Sequence, residues 1–357
     1  MRIGYSAWGS ITDGKVDKPS GCMTYVPFIL NYLLEQRHKV YWMQKSQDYI
    51  YDKVYYNISK HYFKSLRKKV LNKVIQSDMD FPELDILIVE WRWPIPGRNI
   101  VNRIAISDLK RQNELLQYYT NKNTRLIIWD LDYKLTYEDE KKWKPDLILE
   151  TAIKPKFQYI KRTRVNIPII YDAWKNRILN FNYYQINELK KIVYIGNRYE
   201  RDEIIDKYIQ SVAKAYPYTI HFYGNWRKYP DKFKDAILRW PDICFYDRIT
   251  LNDFYDVYKD AWICPLLAKK EYNKHGFMTA RLIEALWFGT IPIGFTGFYG
   301  IKEYLPKELI MSNSLDILEM IADKKLTKIT ERRKMAYRIL QKIRKNDIKY
   351  FMQKLGF

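Results

Sequence analysis

The sequence predicts an α/β protein of two successive domains, each a parallel sheet wound by helices. Three observations predict it. At 357 residues the chain exceeds one ordinary core and suits two. Short apolar strands alternate with amphipathic helical stretches along its length, the pattern of βαβ units. A buried strand running into a glycine-bearing loop opens the chain at Arg2–Ala7 and Gly9, and the same motif returns at Lys191–Ile195 and Gly196.

Composition narrows the partners. Hydrophobic residues make up 47% and aromatic residues 16%, enough to fill both cores and to exclude wholesale disorder. The 62 Lys and Arg against 41 Asp and Glu leave a net charge of +21. An excess of that size attracts a polyanion: nucleic acid, an anionic membrane surface or an acidic polysaccharide. Cys22, Cys244 and Cys264 have no ligand spacing, and His38, His61, His221 and His275 do not cluster, so no tightly bound metal is expected. The N-terminus lacks a signal-peptide core, and no apolar run reaches the roughly 18 residues that span a bilayer. A soluble, cytoplasmic, monomeric protein is the expectation.

In the first half, Arg2–Ala7 reads as a strand, Tyr25–Gln36 as a helix and Lys39–Met43 as the next strand. The intervening loop has no GxGxxG fingerprint, which argues against a nicotinamide cofactor. Residues 45–80 form a Tyr-rich, then basic insertion in which Lys64, Arg67, Lys68 and Lys69 are candidate polyanion contacts; a solvated helix face is the plain alternative. Leu84–Val89 is a buried strand that runs into Glu90-Trp91-Arg92-Trp93-Pro94. Ligands of open α/β sheets sit at such carboxyl ends, so Trp91, Arg92 and Trp93 are candidate acceptor contacts, with a self-packed aromatic loop as the alternative. After a helix over 106–118, strand Arg125–Trp129 ends in Asp130, a carboxylate placed for general-base work. Asp146–Glu150 and Pro168–Tyr171 read as the strands that close the sheet.

The second half starts after a crossover at 183–189. Strand Lys191–Ile195 enters Gly196-Asn197-Arg198-Tyr199-Glu200-Arg201, and strand Thr219–Tyr223 enters Gly224-Asn225. Glycine lets backbone approach a ligand closely, and guanidinium groups match phosphate geometry. Ile243–Tyr246 and Ala261–Leu266 are further strands, joined through the loop Asp247–Leu251 and a helix over 252–258. A mobile loop, Lys274-His275-Gly276, then leads into a helix whose apolar face is Leu282, Ile283, Ala285, Leu286 and Phe288. Arg281 and Glu284 stand one turn apart on it, which by itself also fits an ordinary surface ion pair. Gly289 closes the helix, Thr290–Ile293 begins a strand, and 315–357 is helical and basic.

Four segments in this order, VYIGNRYER, HFYGN, DRITLND and YNKHGFMTARLIEAL, resemble the T-even phage DNA β-glucosyltransferases, which move glucose from UDP-glucose to hydroxymethylcytosine in duplex DNA. The resemblance runs thinly over most of the chain. It implies a GT-B-like fold with two Rossmann-like domains facing a central cleft, and a C-terminal helix that returns to the first domain. The implied division is 1–182 for the acceptor, 183–335 for the UDP-sugar and 336–357 for the returning helix. By the same resemblance Asp130 is the catalytic base. Gly196, Arg198 and Arg201 are the first diphosphate segment, with one residue fewer between the arginines than in the family. Tyr223 and Gly224 form the uridine-side strand end, and Ile249 and Leu251 the apolar contacts to uracil. Tyr272 is a donor-site tyrosine, Arg281 a phosphate ligand and Glu284 the ribose ligand. Two departures stand out: a family acid at the start of the first helix is replaced near Met23, and the basic 45–80 insertion has no equivalent of that length.

The implied chemistry is a single inverting displacement. A carboxylate takes the proton of the acceptor hydroxyl, help worth about 10²–10⁴-fold. Arginines and backbone N–H groups receive the charge that develops on UDP. No metal is required, and a divalent cation is at most a stimulant. The acceptor is double-stranded DNA carrying a modified pyrimidine, extruded from the helix. Two alternatives stay open: a transferase of the same fold acting on a cell-surface polysaccharide or lipopolysaccharide at an anionic membrane, and a DNA-binding protein without activity.

Overall fold

The computed structural model describes residues 1–7, 22–43, 73–77, 80–93, 103–155, 162–180, 191–249, 253–259 and 261–357. The chain divides into two compact units, Met1–Ile169 with Ile348–Phe357, and Ile170–Asp347.

The first unit is built on β1 (Arg2–Ser6), α1 (Cys22–Glu35), β2 (Lys39–Trp42), β3 (Ile75–Gln76), β4 (Ile86–Glu90), α2 (Arg103–Tyr119), β5 (Arg125–Asp130), α3 (Tyr137–Trp143), β6 (Leu147–Glu150) and β7 (Arg162–Arg164). The sheet order is β3-β2-β1-β4-β5-β6-β7, and each pairing is parallel. Every residue of β4, ILIVE, is buried, as a strand covered on both faces requires. On one face Leu87, Val89, Ile128 and Ile148 pack with Leu115, Leu135 and Trp143. Thr136 caps α3 through a capping box with Asp139, which fixes the direction in which that helix leaves β5.

The second unit holds α4 (Tyr171–Leu179), β8 (Ile192–Ile195), α5 (Asp202–Tyr208), α6 (Gln210–Ala215), β9 (Ile220–Tyr223), α7 (Pro230–Arg239), β10 (Ile243–Tyr246), α8 (Asp253–Lys259), β11 (Ile263–Pro265), α9 (Lys270–His275), α10 (Arg281–Trp287), β12 (Ile291–Phe295), β13 (Ile310–Met311), α11 (Ser314–Ala322) and α12 (Ile329–Lys342). Its strands, also parallel, run β10-β9-β8-β11-β12-β13. Gly289, at φ 80°, turns the chain from α10 into β12, the left-handed conformation that glycine adopts without strain.

The last helix, α13 (Ile348–Leu355), belongs to the first unit. Phe351 packs on Trp129 with ring centroids 5.0 Å apart, and Arg125 Nη1 donates to the Leu355 carbonyl at 2.7 Å. A C-terminal helix that returns to the first sheet is thus present.

Two expected elements differ. Pro168–Tyr171 does not join the first sheet; its seventh strand is β7. Pro168 has no N–H to give a ladder, the Ile169 carbonyl accepts from Ile348 N, and Tyr171 already starts α4. The loop expected at 274–276 is mostly helix: α9 runs through His275, and Gly276 ends it at φ 67°. The crossover read at 183–189 and the basic stretch with Lys64, Arg67, Lys68 and Lys69 lie outside the described residues.

Candidate active site

Four residues of the second unit meet where β8 ends. The guanidinium of Arg281, at the start of α10, lies 4.5 Å from the ring centroid of Tyr194, and its Nε donates to the Ile195 carbonyl at 2.7 Å. Arg201 stands 5.9 Å from the same ring. Only 6% exposed, it donates from Nε to Leu267 O at 2.9 Å and from Nη1 to Asn197 O at 3.0 Å and Tyr199 O at 2.7 Å. Gly196 makes this packing possible. A Cβ there would stand 2.4 Å from Tyr194 Oη and 2.5 Å from Arg281 Nη2.

Among the described residues no carboxylate forms an ion pair with Arg201 or Arg281. Their partners here are carbonyl oxygens and an aromatic face, which orient a guanidinium without neutralising it. Burial lowers the proton affinity of Arg201, and the Arg281 charge works in the same direction. The nearest acids, Glu284 for Arg281 and Glu200 for Arg201, act on them through space and not by an ion pair, and two adjacent guanidinium groups favour an anion.

Arg198 behaves differently. Its Nε and Nη2 hold Asp202 at 2.9 and 2.6 Å, and Nη2 also meets Asp235 at 2.5 Å. The guanidinium rests 5.0 Å from the Trp240 ring. Of the two arginines in this loop, Arg201 is the one that joins Arg281.

Beside them, Gly224 packs on Gly196: a Cβ at 224 would meet the Gly196 carbonyl oxygen at 2.4 Å. Gly196 N donates to Tyr223 O at 2.8 Å, Trp226 Nε1 donates to Gly196 O at 2.8 Å, and Asn225 N donates to Asn197 Oδ1 at 2.9 Å. Tyr223 stacks on Tyr246 at 4.7 Å, and Tyr246 stacks in turn on His221 at 5.5 Å. Burial, then the neighbouring Tyr246, pushes the Tyr223 phenol up to about 12, so it stays protonated at neutral pH. Ile249 is half-buried, and Leu251 lies outside the described residues. Tyr272 is buried on α9 against Phe277, 4.4 Å away. Glu284 is half-buried one turn after Arg281. Tyr194 and Tyr246 were missed from the sequence, where each is one apolar residue of a strand; no spacing singles them out.

In the first unit Asp130 ends β5 and is fully buried. Its two oxygens accept from Lys134 N at 2.8 Å and Leu135 N at 3.0 Å, which caps the turn after the strand. Each oxygen keeps a second lone pair. Burial pushes the carboxyl up, against those two donors and Arg162. Two of the expected DNA contacts are buried. Trp91, 5% exposed, belongs to the apolar cluster under α2, and Arg92, 1% exposed, donates to Ser6 Oγ at 3.0 Å while its backbone pairs with Gln112. Trp93 is half-buried. Among the described residues no group of three or more His, Cys, Asp or Glu is placed to hold a metal, and no helix is long and apolar enough to cross a membrane.

The two sheets, their order and the returning helix define the fold of the GT-B glycosyltransferases. Within it the chain is similar to T4 phage β-glucosyltransferase, in a point mutant bound to UDP-glucose, with TM-score 0.58, 13% identity and coverage of 97% of this chain and 96% of that one. A second structure of that phage enzyme, with UDP and Mn²⁺, gives TM-score 0.56 at 12% identity, covering 97% and 96%. Sucrose-phosphate synthase from Thermosynechococcus elongatus gives TM-score 0.56 at 12% identity, covering 100% and 97%. A glycosyltransferase from Rickettsia africae gives 0.54 at 10%, covering 97% and 96%. No protein-family model and no curated protein matches the chain by sequence.

Proposed function

We propose that the chain is an inverting glycosyltransferase that moves a hexose, glucose foremost, from a UDP-sugar to the hydroxyl of a hydroxymethylated pyrimidine in duplex DNA, as a cytoplasmic monomer. The observation that carries the donor half is the pair Arg201 and Arg281, both held near the Tyr194 ring beside Gly196 with no carboxylate ion pair among the described residues. A diphosphate is an anion that such a pair of guanidinium groups can hold by direct hydrogen bonds. Tyr223, Gly224 and Ile249 take the uridine side, Tyr272 is a further donor-site residue and Glu284 takes the ribose hydroxyls. The T4 structures contain UDP-glucose or UDP, which supports that donor.

In the reaction, Asp130 accepts the acceptor's hydroxyl proton as the oxygen attacks the anomeric carbon. The bond to the UDP oxygen breaks on the opposite side, and Arg201 and Arg281 take up the charge of the departing diphosphate. The first unit is assigned to the acceptor. The net charge of +21 supports a polyanion, and phosphate contacts of Lys and Arg suit an enzyme that acts at many sites irrespective of sequence. A pyrimidine inside a duplex must leave the stack to react, at a cost of a few kcal/mol.

The test is mass spectrometry of nucleosides from hydroxymethylated duplex DNA incubated with a panel of UDP-sugars. A hexose-sized increment on the modified pyrimidine is expected. Label that enters lipid or polysaccharide instead, or no transfer from any donor, overturns the reading.

A further inference from the structure

The carboxyl edge of the first sheet buries more acid than the proposed reaction uses. Asp130 and Glu150 are register partners where β5 and β6 end. Their side chains therefore leave the sheet on one face, from backbones about 4.8 Å apart. That face carries Ile128 and Ile148 and is covered by α3, whose Trp143 packs in the same apolar cluster. Asp130 is fully buried and Glu150 is 2% exposed, and α3 contributes a third buried carboxylate, Glu140.

Arg162 is bonded to two of these acids, and Arg164, two residues further along β7, is the register partner of Glu150. Arg162, on β7 next to Glu150, donates from Nη1 to Glu150 Oε2 at 2.5 Å and also ion-pairs with Glu140. Among the described residues the other charged and titratable groups near the cluster are Asp132 and Tyr133 from the turn after β5, and the half-buried Arg164 from β7. Fully ionised, the three carboxylates with Arg162 and the half-buried Arg164 would still hold a net charge of −1. Unpaired buried charge of that kind is not sustained: a neighbouring acid keeps its proton. Asp130 has two backbone N–H donors that favour its ionised form. Among the described residues Glu150 has no backbone donor to its carboxyl, and Arg162, which does donate to it, is shared with Glu140; burial, followed by the Asp130 charge, pushes Glu150 up to about 8.

We infer that Asp130 and Glu150 hold one proton between them, carried on Glu150 at neutral pH, and that Glu150 is a positioning residue that keeps Asp130 in its ionised, proton-accepting state. The functional half of this rests on the reading of Asp130 as the base. Two carboxylates this close titrate as a pair, in two steps. The first step frees Asp130 to act. The second, in the alkaline range, removes the Glu150 proton and leaves two like charges side by side, so that the pair enters a different protonation state.

The experiment is the pH profile of kcat/KM for the full chain, set beside a carbon-13 NMR titration of its side-chain carboxyls. The wild-type profile is expected to show an alkaline break, Glu150→Gln to lose it and Glu150→Asp to keep it; the shape of the profile is the readout. In the NMR titration one glutamate carboxyl titrates far above the ordinary range, vanishes in Glu150→Gln, and moves down by about one unit or more in Asp130→Asn once the neighbouring charge is gone. A Glu150 carboxyl that titrates with ordinary glutamates overturns the shared proton, even if Glu150→Gln fails to fold. An alkaline break that persists in Glu150→Gln, with Asp130→Asn inactive, overturns the positioning role while the base assignment stands. Turnover that survives in Asp130→Asn removes the base assignment and the positioning role together, and leaves the NMR titration to decide the shared proton.

Discussion

The Arg281 guanidinium lies face-on to the Tyr194 ring, 4.5 Å from its centroid, over a glycine whose Cβ would strike both groups. The contact orients a cation with an aromatic face, and a face leaves the charge available to a ligand. It also ties the start of α10 to the end of β8, so the proposed donor site depends on packing inside one unit.

Gly196→Ala tests that relationship. The new methyl meets the ends of two side chains rather than backbone, so the fold survives while Arg281 and Tyr194 shift. UDP affinity is expected to fall roughly 10–100-fold, the equivalent of about 1–3 kcal/mol, with little change in Tm. Isothermal calorimetry with UDP and a thermal melt separate the two effects.

The three arginines should part company. Arg201→Ala and Arg281→Ala each remove a charge-assisted contact, and about 1.5–3 kcal/mol of UDP binding is expected to go with it. Arg198→Ala should leave UDP affinity close to wild type and lower stability by up to about 1 kcal/mol, since its partners Asp202 and Asp235 are partly exposed. A donor-binding loss in Arg198→Ala equal to that in Arg281→Ala would show that Arg198 leaves its acids for the ligand.

Asp130→Asn keeps the shape of the side chain and an oxygen that can still cap Lys134 or Leu135. Turnover is expected to drop by about 10²–10⁴-fold, with UDP affinity unchanged. Single-turnover kinetics at saturating donor is the measurement. Glu284→Ala should show the opposite split, with weaker donor binding and a smaller effect on turnover at saturation.

Stability should depend on pH through Glu150. Its folded value, about 8 against an ordinary 4.5, is raised by burial and then by Asp130. Between those values the folded chain holds a proton that the unfolded chain has released. Stability is therefore expected to fall as pH rises from about 4.5 to about 8 and to level off beyond. Asp130, also raised by burial, acts in the same direction. Urea unfolding at several pH values checks this, and Glu150→Gln should flatten the trend.

The sequence alone determined the two α/β halves, the glycines that end β8 and β9, and the carboxylate that ends β5. Those features follow from apolar periodicity and turn chemistry, which act over a few residues and so can be read along the chain. Tertiary structure decided what partners that are distant in sequence decide. Arg198 and Arg201 are indistinguishable in the string GNRYER; Asp235, from α7, helps hold one, and the Leu267 carbonyl, beyond β11, orients the other. Trp91 and Arg92 look like an exposed basic–aromatic loop until the apolar cluster with Leu115 and Leu116 is seen to cover the one and Gln112 and Ser6 to hold the other. Glu150 reads as the polar end of a strand, and only when β5, β7 and α3 assemble around it do two more acids and one guanidinium share its burial, because charge in a protein is set by what surrounds a group in space.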